Sequence, residues 1–480
     1  MTHDPATRLA QLSRREHEIA VAYSEGESHK EIATRLFLAP STVRTHLSAI
    51  YRKLGVSSKI ELLRLLAASA VAEAAAPVAP GPELAAVPHR ASVAIMPLSQ
   101  SSGDPGSFAG GLVQDIITRL AKLRSMRVIA RGSTFALAEH GIVDGEAADL
   151  LQVDYFVTGS VRCQGERIVL VVELTETRNA QIIWAHDFEY KAADALLALD
   201  DIGDRIVTAV ATEIEIAERN RALLKPPHSL DAWESFHRGL WHMYRFSGPD
   251  NEHAHTLFRR AVTMDPTFSR AYAGLSFTHF QNAFLLHPEH RDREIGLALD
   301  AAGESLVADN HDPAAHWAMG RALWLQGSED QAVAELETSV QLSPNFAFGH
   351  YTLAFVRSQS GDAQAAIGSA DHSRHLSPFD PLLFGMLGSR AMALFRLGAY
   401  DEAADWAIRA AARPNAHIHI HAIAAHCLVT AGRLEEARQY VSFIRKMLPE
   451  YRVDDFLKAF RFPPDTQALF RKAAKQIGMT

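Results

Sequence analysis

The stretch LSRREHEIAVAYSEGESHKEIATRLFLAPSTVRTHLSAIYRKLGV, residues 12–56, decides how the front of this 480-residue chain is read. Ser13 to Glu16 and Ser28 to Glu31 both read S-x-x-E, the reciprocal capping box that satisfies free N–H groups at a helix start. Two helix starts therefore lie 15 residues apart. The first helix is expected to run to about Ser24 and stop at Gly26, and the second turns Ile32, Ala33 and Leu36 inward. A tight turn over Phe37 to Pro40 leads to a third helix, about Ser41 to Leu54, ended by Gly55. Val43, Leu47, Ile50 and Leu54 make one apolar stripe on it. Ser41, Thr42, Arg44, Thr45, Ser48 and Arg52 fall on the other face, a mixture suited to base edges and to phosphates.

Four submotifs in order, the opening L-S-x-R-E, G-x-S-x-K-E-I-A, T-V-R-x-H and the closing K-L-G-V, resemble the helix-turn-helix of the LuxR/GerE regulators over about residues 12 to 66. The resemblance implies that the third helix lies in the major groove of double-stranded DNA, with Arg44, Thr45 and Ser48 contacting bases. It gives Lys30, Thr42, Arg52 and Lys53 phosphate contacts. It also implies a fourth helix, about Lys59 to Leu66, that pairs two copies as a homodimer on DNA. Two positions depart from the family pattern. Ala39 replaces a usual capping Ser, worth about 1 kcal/mol, although Pro40 suits a first helical position. Ser48 stands where a basic residue is common.

Charge supports a local polarity. Formal net charge is −8, yet residues 1 to 70 hold ten Lys/Arg against seven Asp/Glu, leaving 38 against 49 for the rest. A basic head on an acidic body is expected where only the head approaches phosphate. Apolar residues at 48% and charged residues at 22% are those of a folded globular chain, and the length suggests about three domains. Cys163 and Cys427 give no disulfide framework or zinc spacing, which fits a reducing cytoplasm. The start MTHDPATRLAQL has no signal-peptide pattern, and the run from Leu62 to Val87 is too broken by charge and proline to be expected in a membrane.

The expected architecture is multidomain: an all-α helix-turn-helix head (1–68), an Ala/Pro linker (69–90), an α/β domain with a mixed sheet (91–222) and an all-α repeat solenoid (228–480). In the middle segment SVAIMPL and MRVIA read as strands around a helix over 107 to 124. DYFVTGSVR, RIVLVVELTE and QIIWAHDFEY read as strands joined by the short turns CQGE and TRNA, and a helix follows over about 197 to 220. These residues resemble the TolB-like α/β domain, found before tetratricopeptide repeats in bacterial regulators and in nucleotide-cyclase architectures. Its glycines do not follow a phosphate-binding spacing. Arg131, Ser133 and Asp115 sit where a small ligand or a purely structural role would serve equally.

Behind it runs a period. Gly320, Ala354 and Gly388 are 34 apart, as are Ala332 and Ala366, and Pro344 and Pro378. A 34-residue helical period resembles tetratricopeptide repeats. Six units are expected, ending near Pro266, Asn310, Pro344, Pro378, Asn415 and Pro449, with a groove that takes a protein or peptide partner. His417, His419, His421 and His426 crowd HIHIHAIAAH, but i, i+2, i+4 spacing points to different helix faces, so they are expected on a repeat helix and its preceding loop rather than on a metal. His372 and His375 are expected at the surface. No catalytic motif appears, and no cofactor or metal is expected. The reading is a one-component DNA-binding regulator whose body senses a ligand or partner, not an enzyme; the alternative is a tetratricopeptide assembly scaffold with incidental DNA binding.

Overall fold

The computed structural model describes residues 12, 14–24, 32–33, 35–36, 40–56, 62, 89–100, 107–142, 144–164, 166–191, 198–286 and 290–480. The chain divides into two compact units, Met1–Val87 and Pro88–Thr480.

In the first unit, α1 (Arg14–Ser24) and α2 (Pro40–Leu54) sit on one core. Ile19, Ala20 and Ala22 of α1 meet Ile32, Ala33 and Leu62, and Val43, Leu47, Ile50 and Leu54 of α2 are all buried there, as the 3.6-residue period requires. Gly55 follows α2 at φ +59°, a left-handed stop that a side chain would strain. The Ser28–Glu31 box, the Ala/Pro linker over residues 69–88 and most of the expected fourth helix lie outside the described residues.

The second unit begins with a six-stranded mixed sheet. Its elements are β1 (Ser92–Ile95), β2 (Ser99–Gln100), α3 (Ser107–Leu123), β3 (Arg127–Val128), α4 (Arg131–Glu139), α5 (Asp144–Leu151), β4 (Tyr155–Gln164), β5 (Arg167–Glu176), β6 (Gln181–Lys191) and α6 (Leu199–Leu224). The order is β3-β1-β4-β5-β6, with β2 also pairing β4. The β1, β2 and β3 pairings are parallel, and β4 to β6 form an antiparallel meander with Tyr155 opposite Glu176. The short helices α4 and α5 are additions to the sequence reading.

Ile202, Ile206, Val207, Val210 and Ile214 of α6 recur every three or four residues and are buried. Arg119 of α3 clamps α6 through Asp200 at 2.7 Å and through Asp204, while also holding Asp115 at 2.7 Å. Asp115 is thereby engaged within the module, and the Arg131 guanidinium lies over the Phe135 ring at 4.2 Å.

Six helical hairpins follow: α7/α8 (Ala232–Met243, Gly248–Met264), α9/α10 (Ser269–Gln281, Arg291–Ala308), α11/α12 (Pro313–Gln326, Glu329–Leu342), α13/α14 (Ala347–Arg357, Ala363–Leu376), α15/α16 (Leu383–Arg396, Tyr400–Ala411) and α17/α18 (Ile418–Thr430, Leu434–Met447). Two further helices, α19 (Val453–Ala459) and α20 (Pro464–Ile477), complete the chain. The periodic small residues are where the hairpins close: Ala332, Ala354 and Ala366 are fully buried. A Cβ on Gly320 would lie 2.6 Å from Leu336 Cγ and 3.0 Å from the Ala332 carbonyl, whereas one on Gly388 would meet the side-chain tips of Ile420 at 3.1 Å and Ile423 at 3.9 Å.

Alanine gains about 1 kcal/mol over glycine in a helix interior, and overpacking costs about 1–3 kcal/mol. Gly320→Ala is therefore expected to destabilise by about 1–2 kcal/mol and Gly388→Ala to be close to neutral. Urea unfolding of the two variants checks the difference.

The hairpins curl until distant ones touch. Phe246, in the turn between α7 and α8, adopts φ +53° and packs its ring on Phe384 at 5.2 Å and on His417 at 6.1 Å. Phe460 reaches Phe284 and Phe355, and Arg461 donates to the carbonyls of Trp324 at 2.8 Å and Leu325 at 2.5 Å. The inner face of the repeats is thus largely filled by the chain's own aromatic side chains.

The histidine-rich segment contributes to that filling. His419 and His426 are core residues: Nδ1 of His419 lies 2.6 Å from the Tyr451 hydroxyl, and His426 sits between Phe456 and Phe470. His375 is on the surface, 3.0 Å from Asp201. Among the described residues no three His, Cys, Asp or Glu side chains are grouped to hold a metal ion, and no helix is long and apolar enough to cross a membrane.

The α/β module and the repeats share one hydrophobic core. Glu218 of α6, only 2% exposed, accepts from the Tyr155 hydroxyl of β4 at 2.6 Å, from Trp233 Nε1 of α7 at 2.7 Å and from Arg221 at 2.6 Å. Arg221 also reaches Glu176 of β5 at 2.5 Å. Sheet, connecting helix and first repeat are therefore bound by one buried polar network.

Candidate nucleic-acid interface

Helix α2 carries six of the seven residues read as DNA contacts: Thr42, Arg44, Thr45, Ser48, Arg52 and Lys53. Its orientation is fixed by burial. With Val43, Leu47, Ile50 and Leu54 committed to the core, the 100° step per residue puts positions 45, 48 and 52 on the opposite side of the helix and position 44 on its flank. Arg52 is exposed. Arg52 and Lys53 occupy the last turn, where positive charge complements the carbonyl end of the helix. Lys30 lies outside the described residues.

Lys53 has a partner that spacing did not reveal. Its ammonium donates to Glu16 Oε2 at 2.7 Å, tying the end of α2 to the start of α1 across 37 residues. Glu16 is 6% exposed, so the carboxylate half of this pair is desolvated while the lysine half faces solvent. In the sequence Glu16 reads as the third residue of a capping box. An acidic residue in a first turn satisfies that reading whether its carboxylate turns back to the cap or across to another helix. The lysine keeps 41% of its side chain accessible and has further N–H donors.

Comparison with known proteins finds similar sequences for separate parts of the chain. The family model for bacterial regulatory proteins of the luxR family matches residues 10–66. The head is a LuxR-family helix-turn-helix domain. Residues 89–207 match the model for the second domain of HilA/YgeH-like transcriptional regulators, which covers most of the segment whose sequence resembles the TolB-like domain. The LuxR-family head is 41% identical over 69 residues to the transcriptional regulatory protein UhpA of Escherichia coli, 13% of this chain and 35% of that protein. It is 44% identical over 59 residues to a putative HTH-type transcriptional regulator of Mycobacterium tuberculosis, 12% of this chain and 7% of that protein.

A longer match, 28% identical over 254 residues, is to putative adenylate cyclase 3 of Rhizobium meliloti, covering 52% of this chain and 42% of that protein. The chain thus spans less than half the length of each of these relatives. The 254 matched residues outnumber those of Met1–Val87, so most of that likeness lies behind the LuxR-family head. A tetratricopeptide repeat protein from Parabacteroides merdae covers 50% of this chain at 14% identity and a TM-score of 0.30.

Proposed function

We propose that this chain is a one-component, DNA-binding transcriptional regulator in which α2 reads the major groove and the α/β and repeat body receives a ligand or protein signal. The observation that carries the reading is the buried stripe Val43, Leu47, Ile50 and Leu54, which commits one face of α2 to the core, on a helix tied to α1 by Lys53 and Glu16. Arg44, Thr45 and Ser48 take base edges, and Lys30, Thr42, Arg52 and Lys53 take phosphates. A pair of heads on a two-fold site supplies the affinity that Ser48 and Ala39 lack. What the chain shares with the relative named an adenylate cyclase is, on this reading, the sensing body rather than cyclase chemistry. The reading places the protein in the cytoplasm, where its DNA is.

Arg44→Ala is expected to cost about 1–3 kcal/mol at the cognate duplex while leaving non-specific binding nearly intact. Arg52→Ala is expected to weaken all sequences alike and to lower the salt slope of binding by about one. Arg52 is the cleaner phosphate probe, because removing Lys53 would also break its pair with Glu16. Titration of specific and random duplexes at several salt concentrations separates the two. Equal effects of both substitutions on both duplexes would refute the roles, and salt-insensitive or absent binding would favour a repeat scaffold.

A further inference from the structure

Where the α/β module meets the repeats, α6, α7 and α9 and the turns before α13 and α15 surround a cavity of about 150 Å³. Space of that order accepts a molecule roughly the size of benzene. Trp233, Phe236, Trp317 and Phe346 give it aromatic walls. Two carboxylates enter the same space, Glu215 from α6 and Asp380 from the turn between α14 and α15.

Each carboxylate is only partly compensated, Glu215 by the charges of Arg219 and Arg270 and Asp380 by hydrogen bonds alone. Glu215 has Arg219 at 3.8 Å and keeps 37% of its side chain accessible. Asp380 accepts the Leu382 backbone N–H at 2.7 Å and is also hydrogen-bonded by the Ser377 side chain, and no Lys or Arg pairs with it among the described residues. Burial, helped by the charge of Glu215, pushes the Asp380 carboxyl up to about 7. Arg270 also lines the cavity; it pairs with Asp312 at 3.1 Å and donates to the Leu123 carbonyl, and its charge still reaches Glu215 and His237.

A second observation points into the same space. His237 is 4% exposed, lines the cavity, and has no hydrogen-bond partner on either ring nitrogen among the described residues. Burial, with Arg219 and Arg270 nearby, lowers it to about 3, so it presents a neutral ring. The hydroxyls of Ser125 and Thr208 on the cavity wall are likewise unpartnered. Buried polar groups in native proteins are overwhelmingly satisfied, so a cluster of orphans around one cavity marks a place where a bound molecule supplies the partners.

We propose that this cavity binds a small organic cation, a protonated primary amine on an aromatic or alkyl body, with its ammonium between Glu215 and Asp380 and its body against the Trp233, Phe236 and Trp317 rings. The ammonium relieves the repulsion between two carboxylates that line one pocket, and aromatic faces attract a cation. An inorganic cation would leave the apolar walls unused, and an anion would meet both carboxylates. The inference rests on the reading that the body receives a signal, and gives that signal a chemical class.

Calorimetric titration of the full chain with phenethylamine, tyramine and hexylamine, against 2-phenylethanol and hexanol, tests it. The amines are expected to bind at least about tenfold more tightly than the matched alcohols. Asp380→Asn and Glu215→Gln are each expected to weaken amine binding by at least about tenfold. Circular dichroism confirms that each variant folds, and either one suffices if the other does not. Alcohols binding as well as amines, amine binding unchanged in a folded variant, or no binding by any of the three amines overturns the proposal.

A parallel measurement of duplex affinity keeps the two readings apart. Selective amine binding that leaves DNA affinity unchanged supports the site and removes its role in regulation. A DNA response that depends on residues 88–480 with no amine binding removes the site and leaves the regulator.

Discussion

Glu218→Ala is expected to lower the unfolding free energy of the Pro88–Thr480 unit by about 3 kcal/mol or more, a large share of the stability of any domain. The substitution leaves the Tyr155 hydroxyl and Trp233 Nε1 as buried donors without an acceptor, and it removes one of the two carboxylates that hold Arg221. Each orphaned donor costs about 1–3 kcal/mol, and loss of one partner of a buried ion pair about 3–5 kcal/mol. Arg221 keeps Glu176, which places the sum nearer the lower end. Glu218→Gln retains an acceptor for one donor and should fall between the variant and the parent. Urea midpoints followed by circular dichroism check the order. A Glu218→Ala midpoint equal to the parent's would show that the network is solvated and does not join the sheet to the repeats.

The second large effect is on acid stability. Burial lowers His237 and His426 to about 3 and His419 to about 4, each below the ordinary imidazole value of 6.5. In the unfolded chain these rings take up protons near 6.5, while in the folded protein they stay neutral until the pH is far lower. The unfolded state therefore binds more protons between about pH 4 and 6.5, and stability falls as the pH falls through that window. From pH 6.5 to 5.5 each of the three rings costs about 1 kcal/mol.

Asp380 acts in the opposite sense. Its folded carboxyl, raised to about 7, takes up a proton in this range while the unfolded one remains charged, which offsets part of the loss. The net expectation is a body that weakens steadily below neutrality, read from urea midpoints between pH 7.5 and 5. His426→Phe, placed between Phe456 and Phe470, should make that decline shallower. A pH-independent midpoint would show that these rings are hydrated in the folded protein.

The parts of this molecule that were readable from sequence are those whose signals are local. Helix α2 was visible because Val43, Leu47, Ile50 and Leu54 repeat at helical spacing and Gly55 follows. The hairpins were visible because Gly320, Ala332, Ala354 and Ala366 return at a fixed period where helices must approach. The strands were visible because RIVLVVELTE and QIIWAHDFEY are bounded by turn residues. Helices α4 and α5 escaped because RGSTFALAE and DGEAADLL are short, with little apolar contrast between faces.

What sequence spacing does not encode is contact between distant residues. Glu16 finds Lys53 across 37 residues, and the cavity assembles Ser125, Thr208, Glu215, His237 and Asp380 from four separate parts of the chain. The buried histidines show the same limit. Alternation in HIHIHAIAAH places the rings on several helix faces, but whether those faces are wet depends on Phe284, Tyr451 and Phe456, which arrive from elsewhere in the chain.

A stack of repeats in which each unit touches only its neighbours loses stability piecemeal, and its ends can fray or be trimmed with the middle intact. The placement of Phe246 against Phe384 and His417, and of Arg461 on the Trp324 and Leu325 carbonyls, gives this array bonds that skip over several units. Peeling away the last hairpin would strip cover from the first. The body is accordingly expected to unfold in one cooperative step, and a truncated version to behave as a denatured chain and not as a shorter array.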